Sequence, residues 1–429
     1  MASKILPEQQ SDHLILLVGG NPLPNAVAAQ LLAAPKAAIW LLHSGGDEGG
    51  GSGTQNVAEN LEAFLRQKNE AWTIHLEAIP SADNVGIKSR IREIFKRGKI
   101  NGRIGLHYTG GTKSMSIHTY RELERIFENH HPRPLFSYLD PYKLALRIDG
   151  RGAIPSKLFP VLKIPELRKS VEITHLDQLA ALHNYEPAKP DAEHWGESEE
   201  ILTLAKAIVQ IHTTAKGYNE WVKLRKQWRQ TPRDQDFHLP DKDGYPALSP
   251  VIDALDNLCG GTGLATPGLA AKKLRPTENN PTLRSCSKWF LGVWLELYAA
   301  ESFSALPDNF HITYKDTNVF YQKQEQKSDK FELDVTGIVG YQLFAISCIA
   351  TQNKPKAKEH FLEIYVRARQ LGGDEARTGL VCLVEDKDEL ENEIKSSWDA
   401  AGKVKVFGVN ELKNLTQHLA DWFRQQSNL

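Results

Sequence analysis

The chain has 429 residues, too many for one ordinary core, so two or three domains are expected. Hydrophobic residues at 41% and charged residues at 24% give the balance of a soluble globular protein. A formal net charge of −1 excludes any global pull towards nucleic acid, so such a site would need a local patch.

Cys259, Cys286, Cys348 and Cys382 lie far apart without metal-ligand spacing, which fits free thiols in a reducing cytoplasm. The first apolar run, "HLILLVGG", is too short for a signal peptide. No stretch of about 18 uncharged apolar residues offers a membrane span. A cytoplasmic protein with no membrane partner is expected.

The first 150 residues read as alternating strands and helices. "HLILLVGG" is followed by the helical "NAVAAQLLAA", and "KAAIWLLHS" by the glycine-rich "GGDEGGGSG" and a helix through "TQNVAENLEAFLRQ". "TIHLEAIP", "KSRIREIFKRG" and "GRIGLHYT" continue the alternation, and "PLFSYLD" and "LALRIDG" add two short strands. This order predicts an α/β fold with a doubly wound, mostly parallel sheet. Ligands in such sheets bind beyond the carboxyl ends of the strands, where "GGNPLPN", "SGGDEGGGSGT" and "TGGTKS" fall.

The last of these loops sits between a strand and a helix start. Gly110 and Gly111 allow close backbone approach, Thr109, Thr112 and Ser114 bring hydroxyls, and Lys113 brings a charge beside free helix amides. This suits an anion. It is not a Walker loop, whose glycines would stand where Thr112 and His107 are. A plain strand-to-helix turn is the competing reading.

Residues 156–280 form a helical and linker region in this reading. Trp221, Leu224 and Trp228 share a helix face, ringed by Lys223, Arg225, Lys226 and Arg229. That is either a stacking platform for nucleic acid or an amphipathic helix with buried tryptophans. "CGGTGLATPGLAAKKLRPTENNP" reads as a loop or linker.

From residue 281 a helix, "KWFLGVWLELYAAESFSAL", precedes the strands "HITYKDTNVFYQ", "KFELDVTGIVG" and "YQLFAISCIAT". The helix "KPKAKEHFLEIYVRARQLGG" and the strand "RTGLVCLVED" follow. A second α/β unit with a mixed sheet is predicted. Within it, Glu332 and Asp334 point to one face of a strand, opposite Phe331, Leu333 and Val335. With Glu296 they make a set of hard oxygen donors suited to Mg²⁺ or Mn²⁺, with Glu296 and Asp334 as metal ligands. Two solvated acids on a surface strand are the alternative. Glu363 has the same two readings: an acid at the metal, or an exposed helical acid near arginines. Cys348 reads as a small buried residue, with no histidine placed to make it a nucleophile.

"GVWLE", "FELDV" and "FAISC" together resemble the PD-(D/E)xK, restriction-endonuclease-like domain of the CARF nucleases of type III CRISPR defence. "TGGTKSM" resembles the loop of their Rossmann-like N-terminal CARF domain, the sensor of cyclic oligoadenylates. The resemblance implies a CARF domain over residues 1–155 and a nuclease-like domain over 281–429. It also implies a homodimer that binds one cyclic oligoadenylate, usually the tetramer, and then cuts DNA or RNA with a metal. Thr109, Gly110, Gly111, Thr112 and Lys113 match the ligand loop, and Asn21, Ser44 and Thr54 would line the same pocket. Glu296, Glu332 and Asp334 match the catalytic acids.

One departure stands out. A lysine normally follows "SC", and Ile349 occupies that place. Either Lys354, Lys356 or Lys358 supplies the ammonium from downstream, or the nuclease is impaired. Three rivals follow: a cyclic-oligoadenylate sensor whose nuclease-like domain is a scaffold, a DNA-binding regulator using the basic helix, and slow cleavage of the cyclic ligand in its own pocket.

Overall fold

A computed structural model describes residues 4–45, 53–97, 102–189, 195–230, 241–260, 267–324, 326–398 and 400–427. The strands are β1 Ser11–Val18, β2 Ala33–Ser44, β3 Thr73–Ile79, β4 Ile104–His107, β5 Leu135–Asp140, β6 Ala145–Ile148 and β7 Lys157–Pro160. The remainder are β8 Tyr185–Pro187, β9 Ile312–Lys323, β10 Gln326–Val339, β11 Gln342–Ile349, β12 Arg377–Cys382 and β13 Val404–Phe407. The acidic and glycine-rich stretch 46–52 lies outside the described residues.

Strands β1 to β7 form one sheet in the order β3-β2-β1-β4-β5-β6-β7. Its first five strands are parallel, and β6 and β7 turn back antiparallel. In β1, Leu14, Leu16 and Val18 belong to one core and Ile15 and Leu17 to another. A strand buried on both faces reads as a continuous apolar run, which is what "LILLV" is. Helices Asn84–Arg97 and Lys113–Ile126 cover the Ile15 face.

Strands β8 to β13 form a mixed sheet in the order β13-β12-β11-β10-β9-β8. The hairpin β9–β10 and the turn to β11 are antiparallel, while β11, β12 and β13 run parallel. Both units are therefore α/β, the first mostly parallel and the second mixed, as the sequence predicted. One apolar core joins them: Leu14, Leu16, Ile39 and Leu41 share it with Leu333, Leu343, Leu380, Phe361 and Ile364. The other face of the second sheet packs on the helices between Glu199 and Ser304.

The stretch before residue 281 holds more structure than its composition suggests. The strand Lys157–Pro160 extends the first sheet, the strand Tyr185–Pro187 extends the second, and helix Pro267–Leu274 lies inside the segment read as a linker. Trp221 and Trp228 are 0% and 6% exposed and pack edge to face, with ring centroids 5.8 Å apart. Rings so buried cannot stack on nucleic-acid bases, so the amphipathic reading of that helix is the one realised. Among the described residues no helix is long and apolar enough to cross a membrane.

Candidate functional site

Two polar regions stand out, one on each sheet. The first is the carboxyl edge of β1, β2 and β4. There the chain after β1 touches the chain after β4 so closely that a Cβ on Gly110 would stand 2.2 Å from Leu17 O, and one on Gly19 2.8 Å from Gly111 N. Gly111 has φ +73°, which a side chain disfavours. The double glycine is thus required for two loops to pack back to back.

The hydroxyls predicted to face a ligand hold these loops in place. Thr109 Oγ1 accepts from Leu139 N at 2.8 Å. Thr112 caps the helix Lys113–Ile126, its Oγ1 accepting from Met115 N at 3.1 Å. Ser44 and Thr54 exchange two bonds, Ser44 N to Thr54 Oγ1 at 3.1 Å and Thr54 N to Ser44 Oγ at 3.2 Å, and Thr54 Oγ1 also donates to Val18 O at 3.0 Å. Lys113 is exposed at the first helical position. It forms no ion pair among the described residues, so its ammonium and the free helix amides remain available to an anion. Asn21, in the loop after β1 on the same edge, is engaged by the second unit: its Nδ2 donates to Glu375 Oε2 at 3.0 Å.

The second region lies where β10 and β11 meet. Asp334 Oδ2 accepts from Cys348 N at 2.7 Å and from Ser347 Oγ at 3.3 Å. Desolvation still pushes its carboxyl above the usual range, against those two bonds, and the charge of Glu363 adds to the rise. Glu296, on the helix Trp294–Ser304, is raised further, first by burial and then by the charges of Asp334 and Glu332. Lys288 acts in the opposite direction on Glu296. The structure therefore brings Glu296 within electrostatic reach of Asp334 and Glu332, and Asp334 within reach of Glu363.

Two of the lysines downstream of Ile349 are engaged by other acids, and Lys356 is exposed. Lys354 pairs with Glu389 and lies 3.9 Å from Asp386, and Lys358 lies 3.4 Å from Glu393. Ile349 itself is partly buried and packs against the core shared by the two units. Sequence reading passed over His360, whose ring hydrogen-bonds the backbone of Cys348 and whose imidazole burial holds below its usual range. Its spacing of three from Glu363 on one helix was the available signal. Burial also pushes the Cys348 thiol well up, so it is no nucleophile.

Among the described residues no group of three or more His, Cys, Asp or Glu stands close enough together to hold an ion. Mg²⁺ is commonly held by one or two carboxylates together with water and substrate oxygens. Glu296 and Asp334 offer such a pair, and the upward shift of both, from burial first and neighbouring acids second, is one that a bound cation would reverse. The donor set fits a hard divalent ion on those terms.

No protein-family model matches the chain, and no curated protein does. Among solved structures, Can2 from Sulfobacillus thermosulfidooxidans in complex with cyclic tetra-adenylate aligns over 96% of this chain and 97% of its own, at 16% identity and a TM-score of 0.63. This chain shares the fold of Can2. Protein VC1899 from Vibrio cholerae aligns equally widely, over 96% and 98%, at 17% identity and a TM-score of 0.65. Both alignments span the two units and the helices between them, so the whole architecture is shared and not one domain alone.

Proposed function

We propose that this chain is a sensor of cyclic oligoadenylate and a metal-dependent nuclease of type III CRISPR antiviral defence. In this reading it works as a homodimer in the cytoplasm and cuts DNA or RNA with Mg²⁺ or Mn²⁺. The observation that carries the reading is the half-buried Asp334, fixed by Cys348 N–H and Ser347 O–H beside Glu296 and Glu332. It occurs in a chain with the fold of Can2, a protein solved with cyclic tetra-adenylate. Nothing in a structural core demands carboxylates gathered against their own repulsion.

At the sensing edge, Lys113 and the first amides of its helix bind ligand phosphate. Gly110 and Gly111 bring the backbone close, while Thr109, Thr112, Ser44 and Thr54 hold the loops that shape the pocket. At the cutting site Glu296 and Asp334 hold the metal. When bound, the ion supplies a Lewis acid and an activated water. The chain's own contribution is orientation: β11 aims the Asp334 carboxylate through its amide, and Glu332 and Glu363 set the field around it.

A second reading is favoured by two specific observations, the packing of Ile349 against the shared core and the pairing of Lys354 with Glu389. It is a cyclic-oligoadenylate sensor whose nuclease-like unit is impaired and serves as a scaffold. One experiment separates them. The purified protein is incubated with single- and double-stranded DNA and RNA, in Mg²⁺ or Mn²⁺, with and without cyclic tetra-adenylate. Cleavage that needs both ligand and metal is expected. Ligand binding with every substrate intact would leave the sensor and remove the nuclease.

A further inference from the structure

The contact of Asn21 joins residues 354 positions apart and links the two units. Asn21 follows β1 on the sensing edge. Its Oδ1 accepts from Leu23 N at 3.1 Å and lies 3.3 Å from His183 Nε2, while its Nδ2 donates to Glu375 at 3.0 Å. Glu375 is only 1% exposed, and among the described residues Asn21 is its one side-chain donor. The approach depends on Gly373, at φ +63°, where a Cβ would stand 2.3 Å from Asn21 Nδ2. Two residues after Glu375, the buried Arg377 donates from Nη1 to Glu375 O at 2.9 Å and from Nη2 to Pro141 O, in the turn after β5, at 3.2 Å. One short turn thus grips two loops of the first unit.

The place of this turn matters as much as its bonds. It ends the helix Lys354–Gly372, which carries His360 and Glu363, and it begins β12. Strand β12 pairs in parallel with β11, Cys348 lying opposite Val381, and β11 supplies the two donors to Asp334. Both flanks of the acidic site therefore run into the turn that Asn21 holds.

We propose that the turn Gly373–Arg377 is a ligand-operated joint, in which Asn21 exchanges Glu375 for the ligand and the released turn shifts the helix and strand flanking the acidic site. The proposal rests on the sensing function above and assigns its route. A buried carboxylate that loses its donor is costly, so the turn cannot stay as it is once Asn21 leaves. The sensing loop and the turn then form one element with two arrangements, which is what coupling between distant sites requires. Coupling is reciprocal, so altering Glu375 must alter ligand affinity although Glu375 lies in the other unit.

Calorimetry with cyclic tetra-adenylate on the full chain tests this, using wild type, Glu375→Gln and Glu375→Ala. The glutamine keeps an acceptor for Asn21 and is expected to bind like wild type. The alanine frees Asn21 and is expected to bind about fivefold tighter or more. In wild type, ligand is expected to speed hydrogen exchange across residues 373–382, a measurement that needs no variant to fold. A folded Glu375→Ala with wild-type affinity, or exchange in that segment unmoved by bound ligand, would overturn the joint alone. A wild-type chain that binds no cyclic oligoadenylate would remove the sensing function and the joint together.

Discussion

The sensing edge and the acidic site treat their polar groups in opposite ways. At the sensing edge nearly every predicted hydroxyl is satisfied by backbone, as in Thr109 to Leu139, Thr112 to Met115, and Thr54 to Val18 and Ser44. Charge is spared: Lys113 stands exposed at a helix start. At the acidic site the reverse holds. Asp334 accepts from Cys348 N and Ser347 Oγ, yet its carboxyl and that of Glu296 are held above the usual range, first by burial and then by neighbouring acids. One region is a finished scaffold with a single cation left over for a ligand. The other stores unfavourable charge, the state of a site that a cation completes. The difference teaches that hydroxyls clustered at the carboxyl edge of a parallel sheet can serve to shape its loops.

The largest effect that tests this contrast is at Asp334. Asp334→Ala removes the one carboxylate that β11 orients, and a metal so held is worth several kcal/mol of transition-state stabilisation. Cutting is expected to fall by on the order of 10³-fold or more, with cyclic tetra-adenylate affinity unchanged. A gel assay beside calorimetry checks both halves. Persistent cutting would place the chemistry elsewhere in the chain.

The next effect is at Lys113. A charge-assisted bond to phosphate contributes roughly 1.5–3 kcal/mol, so Lys113→Ala is expected to weaken ligand binding by roughly 10- to 100-fold. Metal binding, followed through Mn²⁺ affinity, is expected to stay as it is. Unchanged ligand affinity would mean that the spared cation is solvated and that the loop is only a turn.

The sequence carried the parts of this comparison that depend on local period. Alternation placed Leu333 inside and Glu332 and Asp334 on the other face, and the unbroken "LILLV" announced a strand buried on both sides. It also read the double glycine as a close approach, and Leu17 is a neighbour that demands it at Gly110. Contacts between distant segments were not legible. No spacing relates Asn21 to Glu375, or His360 to the backbone of Cys348, because those pairings arise only once the two sheets pack. The short strand Lys157–Pro160 was missed for a related reason: with so few residues it has no period to detect and is a strand only through its pairing with β6.

The smallest expected effect concerns the missing lysine. Lys354 is the nearest candidate by sequence, but its ammonium pairs with Glu389 and Asp386 on the side of helix Lys387–Trp398. An ion pair screened by solvent in this way adds little, so Lys354→Ala is expected to lower thermal stability only slightly. Cutting is expected to change by no more than about threefold. Lys288 already offsets the charge on Glu296, so the acidic site is not without a cation when Lys354 is removed. A loss of cutting far beyond that figure, with ligand binding intact, would mean that Lys354 leaves its two acids when substrate arrives. The pairing with Glu389 would then be the resting position of the catalytic ammonium, and Glu389→Gln should raise cutting where Lys354→Ala abolishes it.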